Sequence, residues 1–157
     1  ENCYERISIR QYARMAKITP PTASSSLKRY EKEGLLLSAK DRNYIMFYAN
    51  KDSKIFIGLS RLYWQIRLGD LIENMESKLT SPAIVLFGSL SKAETKPDSD
   101  IDLVIFAAKK SVDFGRFERK LKRKIQVFWY SSLKDVPTKE LENSIVNGHV
   151  LTGRITL

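Results

Sequence analysis

The stretch at residues 83–106, AIVLFGSLSKAETKPDSDIDLVIF, constrains the fold of this chain more than any other. It holds two apolar runs rich in β-branched residues, Ala83–Phe87 and Ile101–Phe106, separated by a polar segment with Gly, Ser, Lys and Pro. Short apolar runs bounded by turn residues predict buried strands. We therefore expect two buried strands joined by a polar loop.

The two strand ends carry residues suited to phosphate and metal chemistry. Gly88 and Ser89 close the first strand, where the missing Cβ lets an anion approach backbone N–H groups and the hydroxyl adds a donor. Asp100 and Asp102 open the second strand, and side chains two residues apart on a strand project from the same face. Two such close carboxylates repel each other unless a cation lies between them, and their hard oxygens suit Mg²⁺. A β-hairpin whose polar ends are only solvated is the alternative.

This pattern resembles the signature of the nucleotidyltransferase superfamily typified by DNA polymerase beta, and most of all its minimal nucleotidyltransferase branch. The matching positions are Gly88, Ser89, Ser99, Asp100 and Asp102. The resemblance implies that Asp100 and Asp102 are catalytic and bind the metal, Mg²⁺. It also implies that Gly88, Ser89 and Ser99 bind a nucleoside triphosphate, whose α-phosphate is attacked with release of pyrophosphate.

One position departs from the family pattern. The family usually supplies a third carboxylate from a later strand, and in the candidate strand Ile125–Tyr130 that place is held by Gln126. Glutamine is neutral and a poor ligand for Mg²⁺, whereas the third carboxylate helps to hold the metal and to activate the attacking hydroxyl. Whether this chain is an enzyme therefore stays open, and a catalytically inactive nucleotide-sensing regulator is an alternative.

The charge balance indicates a polyanionic partner. Lys and Arg number 27 against 18 Asp and Glu, for a net charge of +9, which is typical of proteins that bind nucleic acid or nucleotide phosphates. A generally basic surface would give the same balance. No window approaches the roughly 18 uninterrupted apolar residues of a membrane span, and the start lacks a secretory signal. We expect a cytoplasmic protein with no membrane partner; what precedes Glu1 is left open.

The first third of the chain predicts two helices and a hairpin. Ser8 is a suitable cap for the amphipathic segment SIRQYARMAK, and Thr19 is a suitable cap for a second helix over residues 21–32. Residues 35–50 then predict two strands joined by a polar tip at residues 39–43. In both helices the apolar residues recur at helical spacing.

This order of elements resembles the winged helix-turn-helix regulators, in which the second helix enters the major groove of DNA and the wing lies along the backbone. The resemblance and the residue types imply a set of DNA contacts. These are Thr22, Ser25, Ser26, Lys28 and Arg29 on the second helix, with Lys40 and Arg42 on the wing. A dimerisation or protein-docking module is the alternative.

Residues 52–80 predict a long amphipathic helical segment with two apolar stripes. One stripe comprises Ile55, Leu59, Leu62 and Ile66, and the other comprises Leu68, Ile72, Met75 and Leu79, with a change of phase near Gly69. The segment is expected to connect two domains and to pack on both. The alternative is a homodimer seam that includes Tyr63, Trp64 and neighbouring apolar residues.

Two features near the C-terminus leave a function open. Residues 109–124 predict a basic helix whose outer face carries five cations. They are Arg116, Arg119, Lys120, Lys122 and Arg123. His149 follows a predicted helix end and is either structural or catalytic.

The sequence thus predicts an α+β protein of two domains. We assign residues 1–50 to a winged helix, 51–80 to a helical linker and 81–157 to an α/β nucleotidyltransferase-like domain with a small mixed sheet. The expected function is that of a DNA-binding transcriptional regulator whose second domain binds a Mg²⁺ nucleoside triphosphate and transfers a nucleotide if it is active. An antitoxin-like enzyme that nucleotidylates a partner protein is a further alternative. The acceptor, the base preference and the operator are left open.

Overall fold

The computed structural model describes residues 2–155 and has an α+β architecture with two separate sheets. An antiparallel sheet of three strands belongs to the N-terminal third, and a mixed sheet of four strands belongs to the C-terminal half. None of the helices in residues 2–155 is both long enough and apolar enough to cross a membrane.

The N-terminal unit consists of two helices and three strands. They are β1 (Ile7–Ser8), α1 (Ile9–Ala16), α2 (Pro20–Lys32), β2 (Leu36–Asp41) and β3 (Tyr44–Ala49). Ser8 caps α1 as expected, because its hydroxyl accepts from the Gln11 N–H while the Gln11 side chain accepts from the Ser8 N–H. Thr19 caps α2, and the two prolines that follow it occupy the first turn, where no backbone donor is lost.

The hairpin of β2 and β3 has a shorter tip than the sequence suggests. Residues 39–41 continue β2, so that only Arg42 and Asn43 form the turn. Arg42 has a left-handed backbone with φ of 53°, which suits the twist of a two-residue hairpin. The predicted tip of five residues is wrong, because cross-strand pairing extends to the pair of Asp41 with Tyr44.

The helical segment breaks where the apolar phase changes. Helix α3 spans Lys54–Arg67, α4 spans Gly69–Lys78, and Leu68 lies between them. The second apolar stripe, from Leu68 to Leu79, is buried in the core, whereas the first stripe is exposed. Trp64 is also buried, with 2% of its surface exposed. The alternative of a dimer seam is therefore wrong in so far as it includes Trp64.

The C-terminal half contains the second sheet and its covering helices. Its elements are β4 (Ala83–Phe87), α5 (Gly88–Ser91), β5 (Ile101–Phe106), α6 (Gly115–Leu121), β6 (Ile125–Tyr130), a 3₁₀ turn (Leu133–Asp135), α7 (Lys139–Val146) and β7 (His149–Thr152). The strand order is β6-β5-β4-β7, with β5 and β6 parallel and the other pairs antiparallel. The two strands expected from the opening stretch are thus adjacent and lie in the centre of the sheet.

The two faces of this sheet bury two apolar clusters. Alternate residues of β4 and β5, such as Leu86 and Leu103, pack with α3, α4 and α6. The residues between them, such as Phe87 and Val104, pack with α7 and the 3₁₀ turn. Successive side chains of a strand point to opposite faces of the sheet, and both faces are covered here. This explains why the two strands appear in the sequence as continuous apolar runs.

Contacts join the N-terminal segment to the loop that connects α5 with β5. The Cys3 N–H donates to the Thr95 carbonyl oxygen at 2.8 Å. The Lys51 ammonium lies 3.9 Å from the centroid of the Tyr4 ring, and the Lys96 ammonium lies 5.4 Å from it. Both are cation–π contacts. The loop that precedes Asp100 is therefore in contact with the first residues of the chain.

Candidate active site

The antiparallel register of β4 and β5 brings Gly88 and Asp102 together. Phe87, the last residue of β4, is the partner of Asp102 across the ladder. Gly88 has φ of +69°, and a Cβ placed on it would overlap Asp102 Oδ2 and come within 3.2 Å of Asp102 Cγ. The carboxylate of Asp102 therefore lies directly against the backbone of Gly88, in space that only glycine leaves open.

The charge of Asp100 affects Asp102. Asp100 immediately precedes β5 and is exposed, while Asp102 is half-buried. Burial, and secondarily the charge of Asp100, raises the pKa of Asp102 above its usual value. A carboxylate that is costly to ionise for these two reasons is the kind of group that a bound cation would stabilise. Two carboxylates are a donor set that suits Mg²⁺, which proteins commonly hold with one or two carboxylates while phosphates and water supply the other ligands.

Gln126 stands beside Asp102 on the neighbouring parallel strand. The register of β5 and β6 pairs Asp102 with Gln126, and paired residues project from the same face of a sheet. Gln126 is exposed. Within residues 2–155, no three His, Cys, Asp or Glu side chains form a group that could hold a metal ion. The described site accordingly offers two carboxylates and one amide.

Comparison with protein families gives a match to the nucleotidyltransferase domain over residues 68–146. The chain belongs to this family. Comparisons with curated proteins and with solved structures gave no significant match. The matched range runs from the start of α4 to the end of α7 and contains Gly88, Asp100 and Asp102. It therefore includes α4, which the sequence prediction placed in the linker.

The two serines of the nucleotidyltransferase motif have different surroundings. Ser89 is the second residue of α5 and is partly exposed beside Gly88. Ser99 lies in the loop before Asp100, and its hydroxyl accepts a hydrogen bond from the Lys96 N–H at 2.9 Å. Ser99 thus helps to shape the loop before Asp100, and its contact with a nucleotide stays a prediction.

Arg123 is a buried residue beside the candidate site whose position the sequence prediction missed. We expected it on the solvent face of a basic helix, but α6 ends at Leu121 and Arg123 is only 8% exposed. Its Nη1 donates to the carbonyl oxygens of Lys96, Pro97 and Ser99 at 2.9, 3.2 and 2.6 Å. These are the residues that lead to Asp100. The expectation of an exposed Arg123 is wrong, because the chain turns inward after the helix.

A second contact fixes the same guanidinium. Arg123 Cζ lies 5.3 Å from the centroid of the Trp64 ring, which is within the range of a cation–π interaction. The Ile101 N–H also donates to the Lys124 carbonyl oxygen at 2.9 Å. Nothing in the spacing of a Lys- and Arg-rich run tells which cation is buried, so sequence alone gave no signal for Arg123.

His149 lies on the other face of the nucleotidyltransferase sheet from Asp102. It pairs with Leu86 across β4 and β7, whereas Asp102 pairs with Phe87. Its Nε2 is 3.0 Å from Gln65 Oε1, and burial, with a smaller effect of Arg61, lowers its pKa. The contacts of His149 are those of a structural residue.

The expected DNA-contacting residues lie outside the nucleotidyltransferase match, on α2 and the hairpin. Thr22, Ser25, Lys28 and Arg29 are exposed on α2, and Ser26 is partly buried. Two of them have partners. The Thr22 hydroxyl is 2.9 Å from that of Thr19, and Arg29 forms an ion pair with Glu33 at 3.8 Å. Lys40 and Arg42 are exposed at the end of the hairpin.

Proposed function

We propose that the nucleotidyltransferase domain binds a Mg²⁺ nucleoside triphosphate at the ends of β4 and β5. The observation that carries this proposal is the contact between the carboxylate of Asp102 and the backbone of Gly88, with Asp100 close enough to affect the pKa of Asp102. A phosphate bound at Gly88 and Ser89 would therefore lie next to the Mg²⁺ ion that Asp100 and Asp102 are proposed to hold. Ser99 lies on the same loop as Asp100 and is assigned to the nucleotide as well.

Each residue of the proposed site has a chemical part. Asp100 and Asp102 would hold Mg²⁺, which when bound neutralises phosphate charge and polarises the phosphorus–oxygen bonds. Gly88 would leave room for the terminal phosphates, and the Ser89 hydroxyl would donate a hydrogen bond to them. Attack by an acceptor hydroxyl at the α-phosphate would form the new phosphoester bond, release the hydroxyl proton to solvent and break the bond to the β-phosphate, which would leave as pyrophosphate. Asp100 and Asp102 are thus the proposed catalytic residues.

The neutral side chain of Gln126 is expected to make this transfer slow. The side chain next to Asp102 on β6 is neutral, so it neither offsets a second divalent charge nor takes a proton from an attacking hydroxyl. Binding of the nucleotide with slow transfer follows from this arrangement. The same observation favours a second candidate function, in which the domain senses a nucleotide without transferring it.

Pyrophosphate release separates the two candidates. Wild-type protein with Mg²⁺, each nucleoside triphosphate and a cell extract as the source of acceptor should release pyrophosphate slowly, and Gln126→Asp should release it faster. Asn43→Asp makes the same change of charge at the hairpin tip and should behave as wild type. Loss of all release in Asp100→Asn is expected for the transferase. If neither wild type nor Gln126→Asp releases pyrophosphate while both still bind the nucleotide, the domain senses the nucleotide without transferring it.

We also propose that the N-terminal unit is a winged helix that binds duplex DNA, so that the whole chain is a cytoplasmic transcriptional regulator. Support comes from the exposed polar and basic residues of α2 and from the basic hairpin tip. Helix α1 adds Arg10, Arg14 and Lys17, which line an open pocket of about 690 Å³ against the start of α2. Cations on two helices and a hairpin suit the charge of DNA phosphates.

A further inference from the structure

Helix α3 carries a stripe of four large aliphatic side chains that no other part of the described chain covers. Ile55, Leu59, Leu62 and Ile66 are exposed to 62%, 49%, 52% and 71%. The opposite side of α3 is anchored, since Trp64 is buried in the core. Continuous apolar surface on an otherwise anchored helix indicates an interaction surface.

We propose that this stripe is the seam of a homodimer, in which the α3 helices of two copies pack antiparallel about a twofold axis. The four residues follow each other at intervals of four, three and four. This is the alternation that places apolar side chains on one seam between two packed helices.

The order of residue types in the stripe favours a second copy of the same chain as the occupant. Read in either direction, the stripe is Ile, Leu, Leu, Ile with the same spacing. An antiparallel twofold therefore sets Ile55 against Ile66 of the second copy and Leu59 against Leu62 of the second copy. Such self-complementarity is the requirement of an isologous interface.

The charge of the surface favours the same occupant. The chain carries a net charge of +9, so two copies repel each other wherever basic faces meet. The stripe itself and its neighbours Gly58, Tyr63 and Gln65 are uncharged. Arg61 turns away from it, since its guanidinium donates to the carbonyl oxygens of Ser91 and Asn147 at 2.8 and 2.9 Å. Like charges therefore do not oppose each other along the middle of the seam; the cations Lys54 and Arg67 lie at the two ends of α3.

The length of the seam sets the expected affinity. Helix α3 has 14 residues and is about 21 Å long. One helix pair of this length buries less than the roughly 800 Å² per partner of a standard stable interface. The dimer should therefore dissociate on dilution through the micromolar range.

Sedimentation equilibrium over a series of concentrations tests the proposal. Wild type should reach twice the mass of one chain at high micromolar concentration, whereas Leu59→Glu and Leu62→Glu should stay monomeric with unchanged circular dichroism. Val146→Glu is the matched control, because Val146 is an aliphatic residue of α7 that is 56% exposed; it should dimerise as wild type. A wild type that is monomeric throughout, or a dimer that survives both glutamates, would overturn the proposal.

Disulfide trapping tests the orientation in the Cys3→Ser background. A mixture of Ile55→Cys and Ile66→Cys chains should cross-link under mild oxidation, because the antiparallel seam sets these positions against each other. Each variant alone should cross-link at least several-fold less. Efficient cross-linking of each variant with itself, and none between them, would overturn the antiparallel arrangement.

Discussion

Gly88 has a left-handed backbone that any side chain would strain, and its missing Cβ leaves space for the Asp102 carboxylate. Gly34 offers a matched control, because its φ of +74° is similar but no atom lies within 4 Å of an added Cβ. Gly34→Ala should lower the free energy of unfolding by about 1 kcal/mol from backbone strain alone. Gly88→Ala should cost more, because Asp102 must also move.

Urea unfolding of both variants measures this difference, and titration with Mg²⁺ and ATP adds a functional readout. Gly34→Ala should bind the nucleotide as wild type, while Gly88→Ala should bind it at least tenfold more weakly. Equal loss of stability in the two variants, with nucleotide binding intact, would contradict the contact between Gly88 and Asp102.

Asp102 is expected to lower the stability of the fold while it is required for nucleotide binding. Its pKa is raised by burial and by Asp100, so its ionised form destabilises the folded state at neutral pH. Asp102→Asn should therefore raise the midpoint of thermal unfolding by a few degrees near pH 7 and abolish binding of the Mg²⁺ nucleotide. As the pH falls through the raised pKa, wild-type Asp102 becomes protonated and the difference in stability should shrink. A variant that is less stable than wild type at pH 7 would contradict this account.

At the level of elements, Arg123 connects the end of α6 to the loop before Asp100. We predict that it positions Asp100, since its guanidinium donates to three carbonyl oxygens of that loop, those of Lys96, Pro97 and Ser99. Arg123→Met keeps the apolar contact with Trp64 but leaves these carbonyls without that donor, at a cost of about 1–3 kcal/mol. Its affinity for Mg²⁺ ATP should fall several-fold while the fold is kept.

Arg119→Met removes an exposed cation from α6 and controls for the change in net charge. Arg123→Lys, which restores one donor, should recover part of the affinity. If Arg123→Met and Arg119→Met reduce nucleotide binding equally, Arg123 acts through charge and not through the loop.

The elements that the sequence predicted well are those with a strong local pattern. Strands β4 and β5 have the expected bounds because unbroken β-branched runs occur between Gly, Ser and Asp residues. Ser8 and Thr19 cap their helices as expected, because capping depends on residues within one turn. The phase change near Gly69 also marked the break between α3 and α4.

The features that could not be predicted depend on contacts between distant segments. The burial of Arg123 depends on Trp64 and on the loop at residues 96–99, which no local pattern connects. Periodicity identified the apolar stripe at Ile55 but not whether the chain itself would cover it. The pairing of Asp102 with both Phe87 and Gln126 required the strand order as well as the strands.

At the scale of the whole molecule, the N-terminal unit is expected to bind DNA through phosphate contacts. Replacing Lys28, Arg29 and Arg42 together by Ala should weaken binding to duplex DNA. If each cation contacts one phosphate, the slope of log affinity against log salt should become shallower by about 3. Fluorescence anisotropy at several salt concentrations measures both quantities.

A control variant with three alanines at exposed cations of the C-terminal half should bind DNA nearly as wild type. These positions are Lys109, Arg116 and Arg119. If this control loses binding while the first variant keeps it, the DNA surface lies on the basic segment around α6 and not on the N-terminal unit.

The most direct test of the central claim is calorimetric titration of the full chain with ATP in the presence and absence of Mg²⁺. The claim is that Asp100 and Asp102, beside Gly88, form a metal-dependent nucleotide site. Wild type should bind ATP only when Mg²⁺ is present, and Asp100→Asn should lose this binding while it keeps its circular dichroism. Binding of ATP that is equally strong without Mg²⁺, or that persists in Asp100→Asn, would contradict the site.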